Sequence, residues 1–362
     1  RVFGVQWHPE NMATEGNNHT MQLLFQHFIH EASLFRQAKK IHHRNLIVDS
    51  HCDTPMLFEE HTVDFGKRDS VAQVDLVKMF EGQLDAVFVV AYIPQKYPEN
   101  QATAYAKGLL LEMKNQIKRN KKYAKQVTTF DAAQQLKEDG RKAIFLGIEN
   151  GHALQQNLEN LELFQELGVT YITLCHNGAN AICDSAIGNP VHSGLSKFGK
   201  QVVHRMNEMG LVIDLSHAAE STFYDVLKES SSPVIVSHSS ARTLCNHPRN
   251  LTDEQIKTIA SAGGVVQVCL YNGFLVNKGI ASVLDAVNHI EHIIKVGGIQ
   301  SVGIGSDFDG GGGIEGCNAA NELKNITIEL LRRGYSEEDI ALIWGGNLQR
   351  VINKVQQQKQ NG

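Results

Sequence analysis

Leu211-Val-Ile-Asp-Leu-Ser-His217 is a short apolar run that ends in a histidine, and this arrangement recurs along the chain. Short apolar runs bounded by glycine and polar residues are typical of buried parallel strands. Side chains that can ligate a metal close four further runs of this kind: His51 with Asp53, Glu149, His238 and Asp307. Ligand-type side chains at the C-terminal ends of several parallel strands are the layout of a catalytic barrel mouth. The pattern therefore indicates a metal-dependent hydrolase.

After residue 40 the chain alternates strand-like and helix-like segments. Eight strands are predicted, at 46–50, 84–91, 143–148, 170–174, 211–215, 234–237, 264–269 and 302–306. Amphipathic stretches lie between most of them, such as 102–123, 157–167, 196–209 and 220–229, and capping boxes at Thr252 and Ser336 open two more helices. This alternation favours an α/β fold of the (β/α)8 TIM-barrel type over an open doubly wound sheet, because the open sheet would gather its ligands at one switch point.

Composition limits the class of partner. The 362 residues carry a formal net charge of -5, with 20% charged and 42% hydrophobic residues, so we expect neither nucleic acid nor an acidic membrane surface as partner. No apolar stretch reaches bilayer length and no secretory leader is visible, which leads us to expect a cytoplasmic protein. Because the first residue is Arg1, we expect a piece of a longer protein. The six cysteines lack metal-site or disulfide spacing and are expected to be free thiols in a reducing compartment.

Five residues form a candidate metal centre. On a strand, residues i and i+2 face the same way, so His51 and Asp53 can bind one ion together. Glu149 leaves the third strand toward the same mouth and can bridge two ions, while His217 and His238 end adjacent strands and can complete the second ion. Nitrogen and carboxylate ligands without thiolate suit zinc most readily, with manganese or cobalt as alternatives. Two ions that share a carboxylate can hold a water between them and lower its pKa.

Three more residues complete the predicted active site. Asp307 is the candidate proton shuttle, which takes a proton from the attacking water and gives it to the leaving amine. His176 can polarise the scissile carbonyl, and Arg249 offers a planar fork for a substrate carboxylate. Each has a structural alternative, because a lone histidine is more often structural, Arg249 can form a surface ion pair, and Asp307 can cap a loop. We assign structural roles to His42, His43, His61, His192 and His289, and we interpret Asp309 as a turn residue.

The residues around these positions resemble the membrane (renal) dipeptidase family of metallopeptidases. The resemblance covers about residues 41–355, and its motifs follow one another in the family's order. The segments that carry it are Asp49-Ser-His51-Cys-Asp53-Thr-Pro55, Gly147-Ile-Glu149-Asn-Gly-His152, Leu174-Cys-His176-Asn, Cys183-Asp-Ser, Ile213-Asp-Leu-Ser-His217, Ser237-His238-Ser-Ser240, Arg249-Asn250 and Gly305-Ser-Asp307-Phe-Asp-Gly310. The second segment departs from the family's usual Glu-Gly-Gly at Asn150.

The resemblance implies a binuclear zinc barrel that hydrolyses small dipeptides with a metal-bridging hydroxide, often with tolerance for a C-terminal D-residue. It implies two zinc ions, the first on His51 and Asp53 and the second on His217 and His238, with Glu149 as the bridge. It further implies that His176 and Arg249 contact the substrate and that Asp307 is the acid and base, so that the catalytic residues are Asp307, His176 and Glu149.

Two other functions stay open at this stage. A barrel of the same type could be an amidohydrolase that acts on a lactam, a cyclic amide or an N-acyl amino acid. A non-catalytic binding barrel would be expected to have lost a ligand or Asp307, and the sequence retains all of them. The loops 179–182 and 310–313 differ from the family, which leaves the preferred dipeptide open.

Residues 1–40 do not follow the strand and helix rhythm. Val5-Gln-Trp-His8-Pro-Glu10 and a helix predicted at about 20–38 resemble the C-terminal end of class I glutamine amidotransferase-like (γ-glutamyl) hydrolases, where the histidine and glutamate belong to a Cys-His-Glu triad. No cysteine precedes Cys52, so we expect an inert remnant in which His8 and Glu10 do no chemistry. We predict a boundary between this remnant (1–40) and the metallo-dipeptidase barrel (41–362), and an upstream amidotransferase-like domain in the parent chain. The sequence is also compatible with a homodimer.

Overall fold

The computed structural model describes residues 19–60 and 63–358, and its centre is a barrel of parallel strands. Eight strands pair in parallel in the order β1-β2-β4-β5-β6-β7-β8-β9, and a short β3 extends the start of β4. The strands are β1 (Val48–Cys52), β2 (Ala86–Tyr92), β3 (Ala124–Gln126), β4 (Lys142–Glu149), β5 (Val169–Thr173), β6 (Val212–Asp214), β7 (Ile235–Ser239), β8 (Val265–Cys269) and β9 (Val302–Gly305). Each strand of the main path matches one predicted strand, which confirms the (β/α)8 fold.

The sheet closes where β1 meets β9. The backbone N–H of Asp53 donates to the carbonyl of Phe308 at 2.8 Å, and the backbone N–H of Asp307 donates to the carbonyl of His51 at 3.0 Å. A closed ring brings the C-terminal ends of its strands around one mouth, which an open sheet does not. The prediction omits β3 because its three residues include a single apolar side chain, Ala124, and no alternation.

Helices follow most of the strands and surround the barrel. Their bounds are His19–Arg44, Leu57–Glu60, Leu76–Gly82, Glu99–Arg119, Phe130–Glu138, Glu159–Glu166, Lys197–Met209, Glu220–Glu229, Asp253–Ser261, Asn272–Leu275, Val283–Gly297, Lys324–Arg332, Glu337–Ala341 and Asn347–Gln358. The capping boxes predicted at Thr252 and Ser336 are both formed, and Ser282 makes a third with Asp285. All six cysteines are buried free thiols.

Apolar side chains form two layers of core. Inside the barrel the aromatic rings of Phe88 and Phe145 stack with centroids 4.3 Å apart, and Tyr171 stacks on Phe88 at 5.5 Å. The helix Asn347–Gln358 contributes apolar residues to this inner layer and meets the N-terminal halves of the strands. The second layer lies between the outer strand faces and the helices. The barrel is therefore filled below its mouth, and the C-terminal ends of the strands are left to build a site.

The helix His19–Arg44 runs without a break across the predicted boundary at residue 40. It is joined to the rest of the chain by ion pairs from Glu31 to Arg332 at 2.7 Å and from Arg44 to Glu337 at 3.2 Å. His8 and Glu10 lie outside the described residues. Among the residues that are described, no helix combines the length and the apolar character that crossing a membrane requires.

His42 anchors this helix through a directional chain of hydrogen bonds. Trp344 Nε1–H donates to Thr327 Oγ1 at 2.8 Å, so the Thr327 hydroxyl donates to His42 Nε2 at 2.7 Å, and His42 Nδ1–H donates to the carbonyl of Gly82 at 3.2 Å. The imidazole must be neutral for this chain to form, since a protonated Nε2 could not accept. Burial, and then the charge of Lys324, lowers the pKa of His42 to about 3.

We expect His42 to make folding stability depend on pH. Between about pH 6.5 and pH 3 the unfolded chain binds a proton at this position that the folded chain excludes, so stability falls as the pH falls, by up to about 1.4 kcal/mol per pH unit. Urea unfolding should therefore show that the free energy of unfolding of the wild type exceeds that of His42→Leu by less at pH 5 than at pH 7. An equal difference at the two pH values would contradict the prediction.

Candidate metal centre and active site

Side chains from four strands meet at the mouth around the carboxylate of Glu149, the last residue of β4. Its Oε1 lies 3.0 Å from His217 Nε2 and 3.4 Å from His238 Nε2, and its Oε2 lies 3.9 Å from His51 Nε2. His51 Nε2 in turn lies 3.5 Å from Asp53 Oδ2. The structure thus brings the five predicted metal ligands together. Three overlapping sets have donor atoms within 4.8 Å of one another: His51, Glu149 and His238; Glu149, His176 and His217; His51, Asp53 and Asp307.

The hydrogen bonds around His217 and His238 leave two nitrogen lone pairs facing each other. His217 Nδ1 lies 3.0 Å from the acceptor Asn177 Oδ1, so this Nδ1 carries the proton. His238 Nδ1 lies 2.9 Å from Ser237 Oγ, whose own hydrogen is donated to Asp214 Oδ2 at 2.6 Å, so this Nδ1 is protonated too. The two Nε2 atoms, 3.0 Å apart, are then both acceptors, so neither can donate to the other. Facing acceptors of this kind suit a shared cation, and a hydrogen bond at Nδ1 is the usual support of a ligating histidine.

His51 is oriented in the same way. Its Nδ1 lies 2.7 Å from the hydroxyl of Tyr171, which donates to the carbonyl of Ser50 at 3.1 Å and therefore accepts from Nδ1–H. His51 Nε2 is buried and has no hydrogen-bond partner among the described residues. Gly147 makes room for the tyrosine, because a Cβ at this position would lie 3.0 Å from Tyr171 Cζ. The glycine two residues before Glu149 thus helps to fix the orientation of the first histidine.

Three carboxylates crowd into this buried space. Burial, and then the charge of Asp53, raises the pKa of Glu149 well above its usual value and raises the pKa of Asp307 to about 7. Burial lowers the pKa of both His217 and His238 well below 6.5, so these imidazoles are neutral. Neutral imidazoles beside crowded carboxylates are the donor set that a divalent cation such as zinc requires. The residues therefore fit the metal centre that the strand ends predict.

Residues 35–362 match the membrane dipeptidase family, peptidase family M19. The chain belongs to this family. Dipeptidase 3 of Rattus norvegicus and dipeptidase 3 of Mus musculus are each 34% identical to it over 322 residues, which are 86% of this chain but 65% and 64% of those proteins. An uncharacterized dipeptidase of Schizosaccharomyces pombe is 34% identical over 346 residues, which are 89% of this chain and 83% of that protein. The chain thus spans just under two thirds of dipeptidase 3.

Solved structures of other proteins have the same barrel fold as this chain. The probable dipeptidase PvdM of Pseudomonas aeruginosa superposes with a TM-score of 0.85 at 26% identity, over 90% of this chain and 99% of that one. A metallopeptidase of Rhodobacter sphaeroides, solved with a phosphinate mimic of the dipeptide L-Ala-D-Ala, has a TM-score of 0.80 at 22% identity, over 86% and 99% of the two chains. The second likeness concerns the fold alone.

Asp307, the predicted proton shuttle, lies beside the first ligand pair on a strained turn. Its φ is 60°, in the left-handed region that residues other than glycine rarely adopt, and His217 shares this feature with a φ of 68°. Cys269 Sγ contacts Asp307 Oδ2 at 3.5 Å. Gly310 allows the turn to approach the metal ligands, because a Cβ there would lie 2.1 Å from Asp53 Oδ2. In this member of the membrane dipeptidase family, the strained residue is thus the one whose carboxyl group points into the site.

Arg249 and His176, the two residues predicted to contact the substrate, have unused hydrogen-bonding groups next to the predicted metal ligands. Arg249 is buried, its Nη2 donates to the carbonyl of His238 at 3.3 Å, and its Nε has no partner among the described residues. The ring of His176 lies 4.3 Å from the ring of His217, and its Nδ1 is likewise unpartnered. Burial, and then the charge of Arg249, lowers the pKa of His176 to about 4, so the imidazole is neutral.

The sequence prediction omits Tyr92, which the structure places at the mouth. Its ring lies 4.7 Å from the ring of His176, and burial followed by the charge of Glu149 raises the pKa of Tyr92 to about 12. The hydroxyl therefore stays protonated and can donate a hydrogen bond. Tyr92 is the last residue of β2, one position beyond the predicted strand 84–91, so a search of strand ends could have found it.

The interpretation of Asp309 as a turn residue describes its backbone, with φ 65°, but not its side chain. The half-buried carboxylate accepts hydrogen bonds from Thr54 Oγ1 and from the backbone N–H of Gln73, both at 2.6 Å, and so connects the glycine-rich loop to the segment after β1. Of the histidines assigned structural roles, His42, His192 and His289 hydrogen-bond to protein groups away from the metal sets, and His61 lies outside the described residues.

Proposed function

We propose that this chain is a zinc-dependent dipeptidase with two zinc ions, which hydrolyses the peptide bond of small dipeptides. The observation that carries the proposal is the convergence of three imidazole Nε2 atoms on the carboxylate of Glu149 in a buried barrel mouth. The family supports the same reading, since its relatives in rat, mouse and fission yeast are dipeptidases by name.

The ligands divide into two groups around one carboxylate. His51 and Asp53 would hold one ion, His217 and His238 the other, and Glu149 would bridge them, because its two oxygens face the two groups separately. When bound, the zinc ions supply Lewis-acid activation of water and of the scissile carbonyl.

The remaining residues bind the substrate and move protons. Asp307 would accept the proton of the attacking water and return it to the leaving amine, since its carboxyl group lies beside the first ligand pair. The neutral His176 would steady the oxyanion that develops on the scissile carbonyl. The guanidinium of Arg249 would bind the C-terminal carboxylate of the dipeptide, which its planar donor geometry matches.

Rates on a matrix of L,L and L,D dipeptides test the proposal, with N-acyl amino acids and a lactam as comparison substrates. We expect dipeptides to be hydrolysed fastest, chelators to abolish turnover, and metal analysis to find close to two zinc ions per chain. Faster hydrolysis of the N-acyl or lactam compounds would indicate the amidohydrolase alternative. Absence of turnover on every compound would indicate a binding barrel.

Arg249→Ala should mainly raise KM for dipeptides with a free carboxylate and leave C-terminally amidated dipeptides little affected, because the guanidinium contributes binding and not bond breaking. Arg205→Ala is the matched control, since Arg205 pairs with Glu162 on the outer helices. Equal losses on free and amidated dipeptides would show that Arg249 does not read the carboxylate.

A further inference from the structure

Two loops at the mouth determine the position of Arg249. The loop after β7, residues 240–251, carries Arg249 itself, and the loop after β8, residues 270–276, carries Phe274. The guanidinium carbon lies 5.1 Å from the centre of the Phe274 ring, and among the described residues the side chain makes one hydrogen bond, to the carbonyl of His238. The direction of the guanidinium therefore depends on the end of β7, which carries His238, and on how the two loops are placed against it.

His289, on the helix Val283–Gly297, binds both loops at once. Its Nδ1 accepts a hydrogen bond from the backbone N–H of Ala241 at 3.0 Å, and its Nε2–H donates to the carbonyl of Leu275 at 3.0 Å. Ala241 stands at the start of the first loop, and Leu275 follows Phe274 in the second. The imidazole is fully buried, and burial lowers the pKa of His289 to about 4, so it is neutral and can accept and donate simultaneously.

Asn250 completes the connection between the loops. Its Nδ2 donates to the carbonyl of Cys245 at 2.9 Å and to the carbonyl of Phe274 at 2.8 Å. The residue next to Arg249 is thereby attached to the residue that supports the guanidinium. His289 thus holds the two loops at Ala241 and Leu275, and Asn250 holds them together next to Arg249.

We propose that His289 is a positioning residue that sets the specificity of this site for a free C-terminal carboxylate, by holding the two loops that orient Arg249. The inference rests on the proposed function, and it adds a residue that does not touch the substrate. A displacement of about 1 Å can cost up to 10²-fold in a positioned interaction. An apolar side chain at 289 would leave the Ala241 N–H and the Leu275 carbonyl without their partner, so the loops would shift. Glutamine offers an acceptor and a donor and should retain the connection.

The test compares His289→Leu, His289→Gln and the wild-type holoenzyme on a dipeptide and on its C-terminal amide. His289→Leu should raise KM for the free dipeptide roughly 10-fold or more with kcat nearly unchanged and leave the amide little affected, and His289→Gln should restore most of the loss. His42→Leu is the matched control, because His42 is also a buried neutral histidine that joins two segments, but away from the mouth. It should lower stability and keep the preference for the free carboxylate.

The outcomes separate the inference from the function on which it rests. If the wild type hydrolyses no dipeptide, the proposed function fails. If the wild type prefers the free carboxylate and His289→Leu keeps that preference, loses free and amidated substrates equally, or behaves like His42→Leu, the inference is overturned. His289→Met, whose flexible apolar chain fills the same space, replaces His289→Leu if the latter does not fold. Faster amide exchange in 240–251 and 270–276 of the apolar variant would support the loop mechanism, and unchanged exchange would contradict it.

Discussion

Replacement of Glu149 by glutamine or alanine should abolish dipeptide hydrolysis and remove most of the bound zinc. The carboxylate stands 3.0 Å from His217 Nε2 and 3.9 Å from His51 Nε2, so its loss weakens both ion sites together. The activity lost should exceed the roughly 10–100-fold that changes in the outer shell of a metal site cost. It should also exceed the loss in Asp53→Ala, which affects one ion site.

Metal analysis of the purified variants, combined with steady-state rates before and after zinc addition, checks this expectation. Glu162→Gln is a suitable control, because Glu162 is an outer-helix carboxylate paired with Arg205. A Glu149→Ala protein that keeps two zinc ions and near-normal turnover would refute the bridging assignment. So would a wild type that is fully active in the presence of chelators and contains no transition metal.

Asp307→Asn should lower kcat by roughly 10²–10⁴-fold, the usual contribution of a positioned general acid and base. Asparagine keeps the size of the side chain but cannot take up a proton from water, so the proton step is lost. Because Asp307 is not one of the five predicted ligands, zinc content should be unchanged. This combination separates proton transfer from metal binding.

Asp139→Asn serves as the comparison, since Asp139 is an exposed helix-end residue whose carboxylate accepts from Gln135. Turnover and bound zinc are measured on the same preparations. Near-normal turnover in Asp307→Asn would mean that another group moves the proton. Loss of zinc together with activity would instead make Asp307 a metal ligand, as its place in one of the three donor sets allows.

The strand ends could be predicted from the sequence because each apolar run stops abruptly at a polar residue. Burial on both faces of a parallel strand removes alternation and leaves this stop as a clear signal. Glu149 and His238 follow such stops, and the structure brings them within 3.4 Å of each other. A barrel makes neighbours of its strand ends, so positions along the chain sufficed to predict that these side chains converge.

The supporting residues could not be predicted, because their roles depend on register between strands. Tyr171 lies in the middle of β5 and reaches His51 of β1 across the barrel interior. This contact depends on the absence of a side chain at Gly147. Asp214 meets Ser237 through pairing of β6 with β7. No periodicity along the chain reports such contacts between separate strands.

The left-handed backbone at His217 and Asp307 has a cost in folding stability. A residue with a Cβ in that conformation costs about 1–2 kcal/mol relative to the ordinary regions, and glycine largely escapes the cost. Exchange of either residue for glycine would therefore relieve the backbone while destroying the site. The fold therefore gives up some stability at these two positions in order to place a histidine and a carboxyl group at the barrel mouth.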